Sequence, residues 1–283
     1  MNDKPALSIL IPWYQRDELK RTLAENAPAF REQQAEVLLL NCGGDSGRLQ
    51  DLIAASEVSG LRQVDISAPR FNKSLALNIG LSHSSSDTIF TLDADIILGA
   101  ALRKARMLPD DRSFVTIEWA YESEPSAVVR PKPGDIGNRS AMAPARKPTL
   151  EYRFRNGISV RHELSHRDSF GNRQGCAGLL LAKKCDLLEV QGYNSTLEGW
   201  GGEDDDIVVR LQYVLGLRRV QRGAVLHLTH DDDRRAVKGS RSDWRVNFLK
   251  CCRNYNNGLF LGTYCADIAW AADKVTETPT QQR

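Results

Sequence analysis

The 283-residue sequence contains no run of eighteen or more apolar residues, so it offers no candidate membrane-spanning helix. It has almost no net charge: 38 lysines and arginines face 36 aspartates and glutamates, a balance of +2. That balance gives no strong overall pull towards nucleic acid or a membrane, and no nucleic-acid partner is expected. The opening MNDKPALSILIPW lacks a basic segment followed by a long apolar core, so no signal peptide is expected. The six cysteines (Cys42, Cys176, Cys185, Cys251, Cys252 and Cys265) include no C-x-x-C pair. They read as reduced, partly buried thiols of a cytoplasmic protein; adjacent Cys251 and Cys252 could react, but core or surface thiols are the simpler reading. No internal repeat is present. What remains is a chain long enough to bury a sizeable core.

The apolar runs Leu7–Ile11, Glu36–Leu40, Gln63–Ile66 and Thr88–Leu92 read as strands. Between them, helical spacing runs through 17–27, 49–55 and 74–81. Strand and helix alternating at this pitch predict an α/β fold with a mixed, mainly parallel sheet flanked by helices. Ligands of such sheets sit at the carboxyl ends of the strands, where Tyr14, Arg16, Asn41 and the acids after Leu92 fall.

Three polar clusters stand out. Asp93-Ala94-Asp95 closes the fourth strand, and residues two apart in extended chain share a face. Two oxygen donors on one side suit a divalent cation bridging phosphates; an isolated D-x-D is also a common turn cap. Gly199-Trp200-Gly201-Gly202-Glu203-Asp204-Asp205-Asp206 precedes Ile207, Val208, Leu211 and Val214 at helical spacing, which places the acids in a helix's first turn. The helix dipole favours their charged form there, and the glycines allow close backbone approach to a ligand. Such a carboxylate can act as a base or accept a hydroxyl, or be an N-terminal structural cluster. Finally, His227 and His230 lie around Leu228 and converge only if the chain turns there; with a remote carboxylate they would suit a divalent transition metal.

These residues carry a resemblance. Gly-Trp-Gly-Gly-Glu-Asp-Asp-Asp resembles the hallmark of the β1,4-galactosyltransferases and related bacterial enzymes, including the chondroitin polymerases. Phe71 to Leu81 is similar to that family's F-N-[RK]-x-x-x-L-N-x-G segment, Ile11 to Arg16 to its opening strand and uracil-side loop, and Gly175 to Ala182 to the glycine-rich segment before the hallmark. The resemblance implies a GT-A-type, Rossmann-like domain that transfers a hexose or N-acetylhexosamine from a UDP-sugar to a glycan or other hydroxyl acceptor, with inversion and with Mn2+ or Mg2+. It makes Asp204 the catalytic base, Glu203 and Asp205 acceptor ligands, and Asp95 and His230 metal ligands. His227 would be a third ligand in place of the family's methionine. Pro12, Tyr14, Arg16, Asn72, Lys73, Asp93, Gly178 and Trp200 would meet the donor, with Trp200 on a closing loop. A glycine near the position that controls N-acetyl acceptance, Gly175, hints at UDP-GalNAc beside UDP-galactose.

The expected organisation is one domain over 1–283: a nucleotide-binding half (1–98), a variable basic insertion (99–174), and an acceptor and metal half with a C-terminal helical region (175–283). Within the insertion only Phe114–Trp119 reads as a strand. Prolines at 125, 131, 133, 144 and 148 predict a long irregular loop. Its arginines and lysines form either a solvated surface or a lid facing phosphates, with a peripheral membrane contact as a further role. The segment Trp244–Trp270 is expected to supply packing or an oligomer contact, and Thr276–Arg283 to fray. Two rival functions stay open: a retaining UDP-GalNAc transferase, disfavoured because that family's W-G-G-E-N variant differs from Glu203-Asp204-Asp205 here, and a sugar-nucleotide-binding protein without catalysis.

Overall fold

The computed structural model describes residues 4–56, 58–99, 111–124, 149–154, 157, 159–167, 172–199, 201–230 and 242–279. The first part alternates as its apolar pattern requires: β1 (Leu7–Trp13), α1 (Glu18–Glu32), β2 (Ala35–Cys42), α2 (Ser46–Ala54), β3 (Leu61–Ile66), α3 (Lys73–His83) and β4 (Thr88–Thr91). β1 lies between β2 and β4, and β3 beyond β2; all these pairings are parallel. The short β5 (Ile96–Ile97) follows, then β6 (Ser113–Glu122), β7 (Thr149–Arg153), β8 (Ser159–Glu163), β9 (His166–Arg167) and β10 (Arg173–Lys183). The last part holds α4 (Lys184–Glu189), α5 (Glu203–Val214), β11 (Arg218–His227), α6 (Ser242–Asn256), α7 (Tyr264–Ala271) and β12 (Val275–Pro279).

One sheet runs in the order β12-β3-β2-β1-β4-β10-β6-β11-β5, with β9 on β10; β7 and β8 form a separate antiparallel hairpin. β10 is antiparallel to both β4 and β6, which makes the sheet mixed. β1 is buried on both faces, so its residues alternate between two cores. Ile9 and Ile11 join Leu19, Leu23 and Phe30 of α1 on one side, while Leu10 joins Leu77 of α3 and Ile207, Val208 and Leu211 of α5 on the other. A third, smaller core holds Val160 of β8, Val209 of α5 and Cys251 and Tyr255 of α6.

Three expectations change. α1 continues past residue 27 to Glu32, because Ala29 and Phe30 extend its buried stripe beyond Pro28. The stretch from Thr276 does not fray at once: Val275–Pro279 pairs antiparallel with the edge of β3, and Arg62 forms an ion pair with Glu277 (Nε to Oε1 2.7 Å). The insertion is more than irregular loop, since β7, β8 and β9 all lie within it. Their alternating pattern is hidden among charged residues, and β7 and β8 find their partners in each other. The proline-dense stretch 125–148 lies outside the described residues, and with it the lid and membrane-contact expectations. The region from Trp244 to Trp270 forms α6 and α7 and supplies packing. Among the described residues no helix is long and apolar enough to cross a membrane.

Candidate active site

A cleft of about 450 Å³ opens at the carboxyl ends of β1 and β4. Twelve of the fourteen anticipated residues line it: Pro12, Tyr14, Arg16, Lys73, Asp93, Asp95, Gly178, Glu203, Asp204, Asp205, His227 and His230. Asn72 is not among its lining residues. Its side chain caps α3, accepting from the Leu75 N–H (3.0 Å) and donating to the Ser195 carbonyl (2.8 Å). Trp200 lies outside the described residues.

The acids after β4 do not share a face. The backbone turns at Ala94 and Asp95, so the extended-chain argument fails there. Asp93 points to Lys73 (2.9 Å), whereas Asp95 points to the histidines. α1 holds this turn from below: Thr22 donates to the Ala94 carbonyl (2.8 Å) and Asn26 to the Ile96 carbonyl (2.8 Å). β11 ends at His227, and the Leu228 N–H donates to the Asp95 carbonyl (2.8 Å). The chain therefore turns at Leu228, as convergence of the two histidines required. His230 Nε2 lies 3.0 Å and His227 Nε2 3.5 Å from Asp95 Oδ2. One ligand atom from each of Asp95, His227 and His230 falls within 4.8 Å of the others, a donor set that fits a divalent transition metal.

α5 begins with the acidic run, and its first turn meets a partly buried cation. Lys73 Nζ, at the start of α3, lies 3.1 Å from Asp204, 2.9 Å from Asp93 and 3.9 Å from Glu203. A solvated lysine is therefore not what the fold makes of Lys73. Burial pushes Glu203 up to about 8, with Asp204 adding to the shift and Lys73 opposing it. Burial also raises Asp204, against the pull of Lys73. The helix N-terminus alone does not decide the charge of this cluster. Asp206 turns away into the core, where Arg210 (2.8 Å) and the Tyr255 hydroxyl (2.7 Å) hold it.

Two groups of glycines serve contact rather than flexibility alone. A Cβ on Gly178 would collide with the Asp204 carboxylate, so this glycine sets the space for that side chain. Gly201 and Gly202 have φ of +85° and +96°, and a Cβ on either would crowd Trp244 or Asn247 at 3.0 Å. Both glycines thus approach α6 closely and also line the cleft.

Residues 160–231 match the family model described as the N-terminal domain of galactosyltransferase. That stretch holds Gly178, the acidic turn of α5 and both histidines. Among solved structures, S. aureus TarS shares the fold: the 1–349 fragment has a TM-score of 0.50 at 12% identity, over 78% of this chain and 60% of that one. The chain has a GT-A-type fold, with a galactosyltransferase-like segment over residues 160–231. Two further structures are similar. A mannosyltransferase from Pyrobaculum calidifontis, in complex with GDP-Man and Mn2+, has a TM-score of 0.49 and 15% identity over 96% of this chain and 76% of that one. A variant of Drosophila β1,4-galactosyltransferase 7, in complex with manganese, UDP-Gal and xylobiose, has a TM-score of 0.46 and 17% identity over 83% and 75%. No curated protein matches the sequence.

Several residues of this cleft escape sequence reasoning. Glu122, at the end of β6, accepts from the His227 Nδ1–H at 2.8 Å, which orients the ring so that Nε2 faces Asp95. Burial works against a charged His227, but the hydrogen bonds to Asp95 and Glu122 prevail and raise it to about 9. Burial likewise opposes ionisation of Asp95, yet the two histidines hold it well below the usual carboxylate range. Phe71 lines the cleft with its ring 5.8 Å from that of Tyr14. Trp244 of α6, His166 and Arg173 complete the wall. Only Phe71 lay inside a recognisable motif; the others come from segments whose pattern says nothing of a cleft. Gly175 is not among the lining residues, and its φ of +79° already accounts for a glycine.

Proposed function

We propose that the chain is a metal-dependent, inverting glycosyltransferase that moves a hexose or N-acetylhexosamine from a UDP-sugar to a hydroxyl of a glycan. The observation that carries this reading is the placing of Asp204 and the Asp95–His227–His230 cluster in one cleft. Pro12, Tyr14 with Phe71, and Arg16 form the wall suited to the base and ribose, with buried Arg16 Nη1 lacking a protein partner. Asp93, held by Lys73, is placed to accept a hydroxyl of the ribose or donor sugar. A divalent cation such as Mn2+ on Asp95, His227 and His230 would neutralise charge on the leaving diphosphate. Asp204 removes the proton of the acceptor hydroxyl while that oxygen bonds to the anomeric carbon and the bond to UDP breaks. Lys73 compensates the negative charge of Asp204 before the proton arrives. Glu203 and Asp205 flank the base, and we assign acceptor contact to Asp205 above all, since Glu203 is buried. Residues 1–98 and 175–283 act as nucleotide and acceptor halves of one unit.

The test is a panel of UDP-sugars with and without manganese, reading donor hydrolysis, transfer to glycan acceptors and the anomer formed. Asp95→Asn should abolish most manganese-dependent UDP binding. Inverted product in the parent, lost without metal, is the expected outcome. A retained anomer refutes the role given to Asp204, and unchanged metal titration in Asp95→Asn refutes the metal site.

A further inference from the structure

The β7–β8 hairpin belongs to no motif of the acceptor site, yet it places a side chain directly on one of the acidic residues. His162 of β8 is fully buried, at 0% exposure. Its Nε2 lies 2.7 Å from Asp205 Oδ1, and its Nδ1 has no hydrogen-bond partner. Asp205 is a quarter exposed and lines the cleft beside Asp204. One oxygen of Asp205 is thus held from behind by a buried N–H donor, which orients the carboxylate towards the cleft.

The hairpin that carries His162 is itself anchored. Val160 packs with Val209 of α5 and with Cys251 and Tyr255 of α6, and Tyr152 of β7 meets Tyr255 edge-on at 5.6 Å between ring centroids. The imidazole therefore sits on a scaffold that joins three elements. Were the pair needed only to keep a buried acid neutralised, a partially exposed first-turn aspartate would be a poor candidate, because water and the helix N-terminus already stabilise its charge.

We infer that His162 is a positioning residue for acceptor recognition: it fixes the rotamer of Asp205, and the hairpin thereby sets how tightly the acceptor hydroxyl is held. This rests on the transferase reading and on the acceptor contact assigned to Asp205. The single hydrogen bond made to a charged partner leads to the expected size of effect, a roughly tenfold rise in acceptor KM when it is lost.

The experiment compares His162→Phe, His162→Gln, Asp205→Asn and the double variant His162→Phe with Asp205→Asn, each by acceptor KM, kcat at saturating acceptor, and calorimetry of UDP binding with manganese. His162→Phe keeps a flat ring but removes the donor. It should raise acceptor KM about tenfold, with a much smaller change in kcat and with UDP binding retained. His162→Gln, which can present an amide N–H near the place of Nε2, should recover most of the loss. The double variant should be no worse than Asp205→Asn alone, because both changes remove the same contact. Unchanged acceptor KM in His162→Phe overturns the assignment. So do equal losses of UDP and acceptor binding, absence of rescue by His162→Gln, or additive losses in the double variant, each of which marks His162 as a structural residue. A parent protein that turns over no UDP-sugar overturns the transferase reading itself, and the assignment falls with it.

Discussion

Replacing Asp204 by asparagine separates chemistry from binding in this site. The two side chains have nearly the same shape, so the change fits the space that Gly178 leaves for it. Lys73 keeps Asp93 at 2.9 Å and can still donate to the amide oxygen, and one of three crowded carboxylates loses its charge. Because burial already disfavours the charged form of Asp204, the folded state should be stable to within about 1 kcal/mol, the usual range for substitutions that open no cavity and strand no charge. The chemistry should respond differently. A positioned general base is worth roughly 10²- to 10⁴-fold, or about 3–5 kcal/mol of barrier. Turnover in Asp204→Asn should fall by at least two orders of magnitude, while UDP binding with manganese, which we assign to Asp95 and the histidines, stays near the parental value. Calorimetry of UDP beside a transfer assay on the same preparations reads both quantities. Transfer at near-parental rate would place the base elsewhere. Loss of UDP–manganese binding would move Asp204 to the donor site and refute the mechanism.

Three further outcomes are expected. Glu122→Gln should weaken manganese affinity by about 10- to 100-fold without removing it, because His227, a ligand in the proposed site, loses its orienting carboxylate; a metal titration by calorimetry checks this, and an unchanged affinity refutes it. Gly178→Ala should lower turnover more than UDP binding, since its Cβ must displace the Asp204 carboxylate; equal effects on both would argue for a general distortion. Glu203, raised to about 8 in the folded protein, binds a proton that the unfolded chain releases near its ordinary value of 4.5. Its contribution to stability is therefore complete below that value and is lost as pH rises towards about 8. Glu203→Gln should remove this loss and melt a few degrees above the parent at pH 8.5, with little gain at pH 4.5; differential scanning calorimetry at both pH values decides it.

How much of this was legible in the sequence varies by element. β1, β2, β3 and β4 are short apolar runs between helical patterns, and local patterning alone was enough to predict a mixed α/β sheet. The acidic start of α5 was likewise readable, because it depends on neighbours in the chain; the turn between His227 and His230 was only a condition for their convergence, and the distant Asp95 carbonyl, accepting from the Leu228 N–H, holds it. The mistakes came where partners are distant. Charged β7 and β8 carry no apolar signature and exist as strands only because each completes the other. Thr276 and Glu277 look like a polar tail until the open edge of β3 and the charge of Arg62 are there to receive them. The common face expected for Asp93 and Asp95 assumed extended backbone, and the clamp of Thr22 and Asn26 from α1 turned it instead. Lys73, Glu122 and His162 acquire their electrostatic roles from carboxylates and imidazoles tens of residues or more away, across α5 and β11. Composition and periodicity report what a segment prefers by itself. Which charge is buried beside which, and so which proton can move, is set by long-range packing, because electrostatic interactions strengthen only once folding has excluded water from around them.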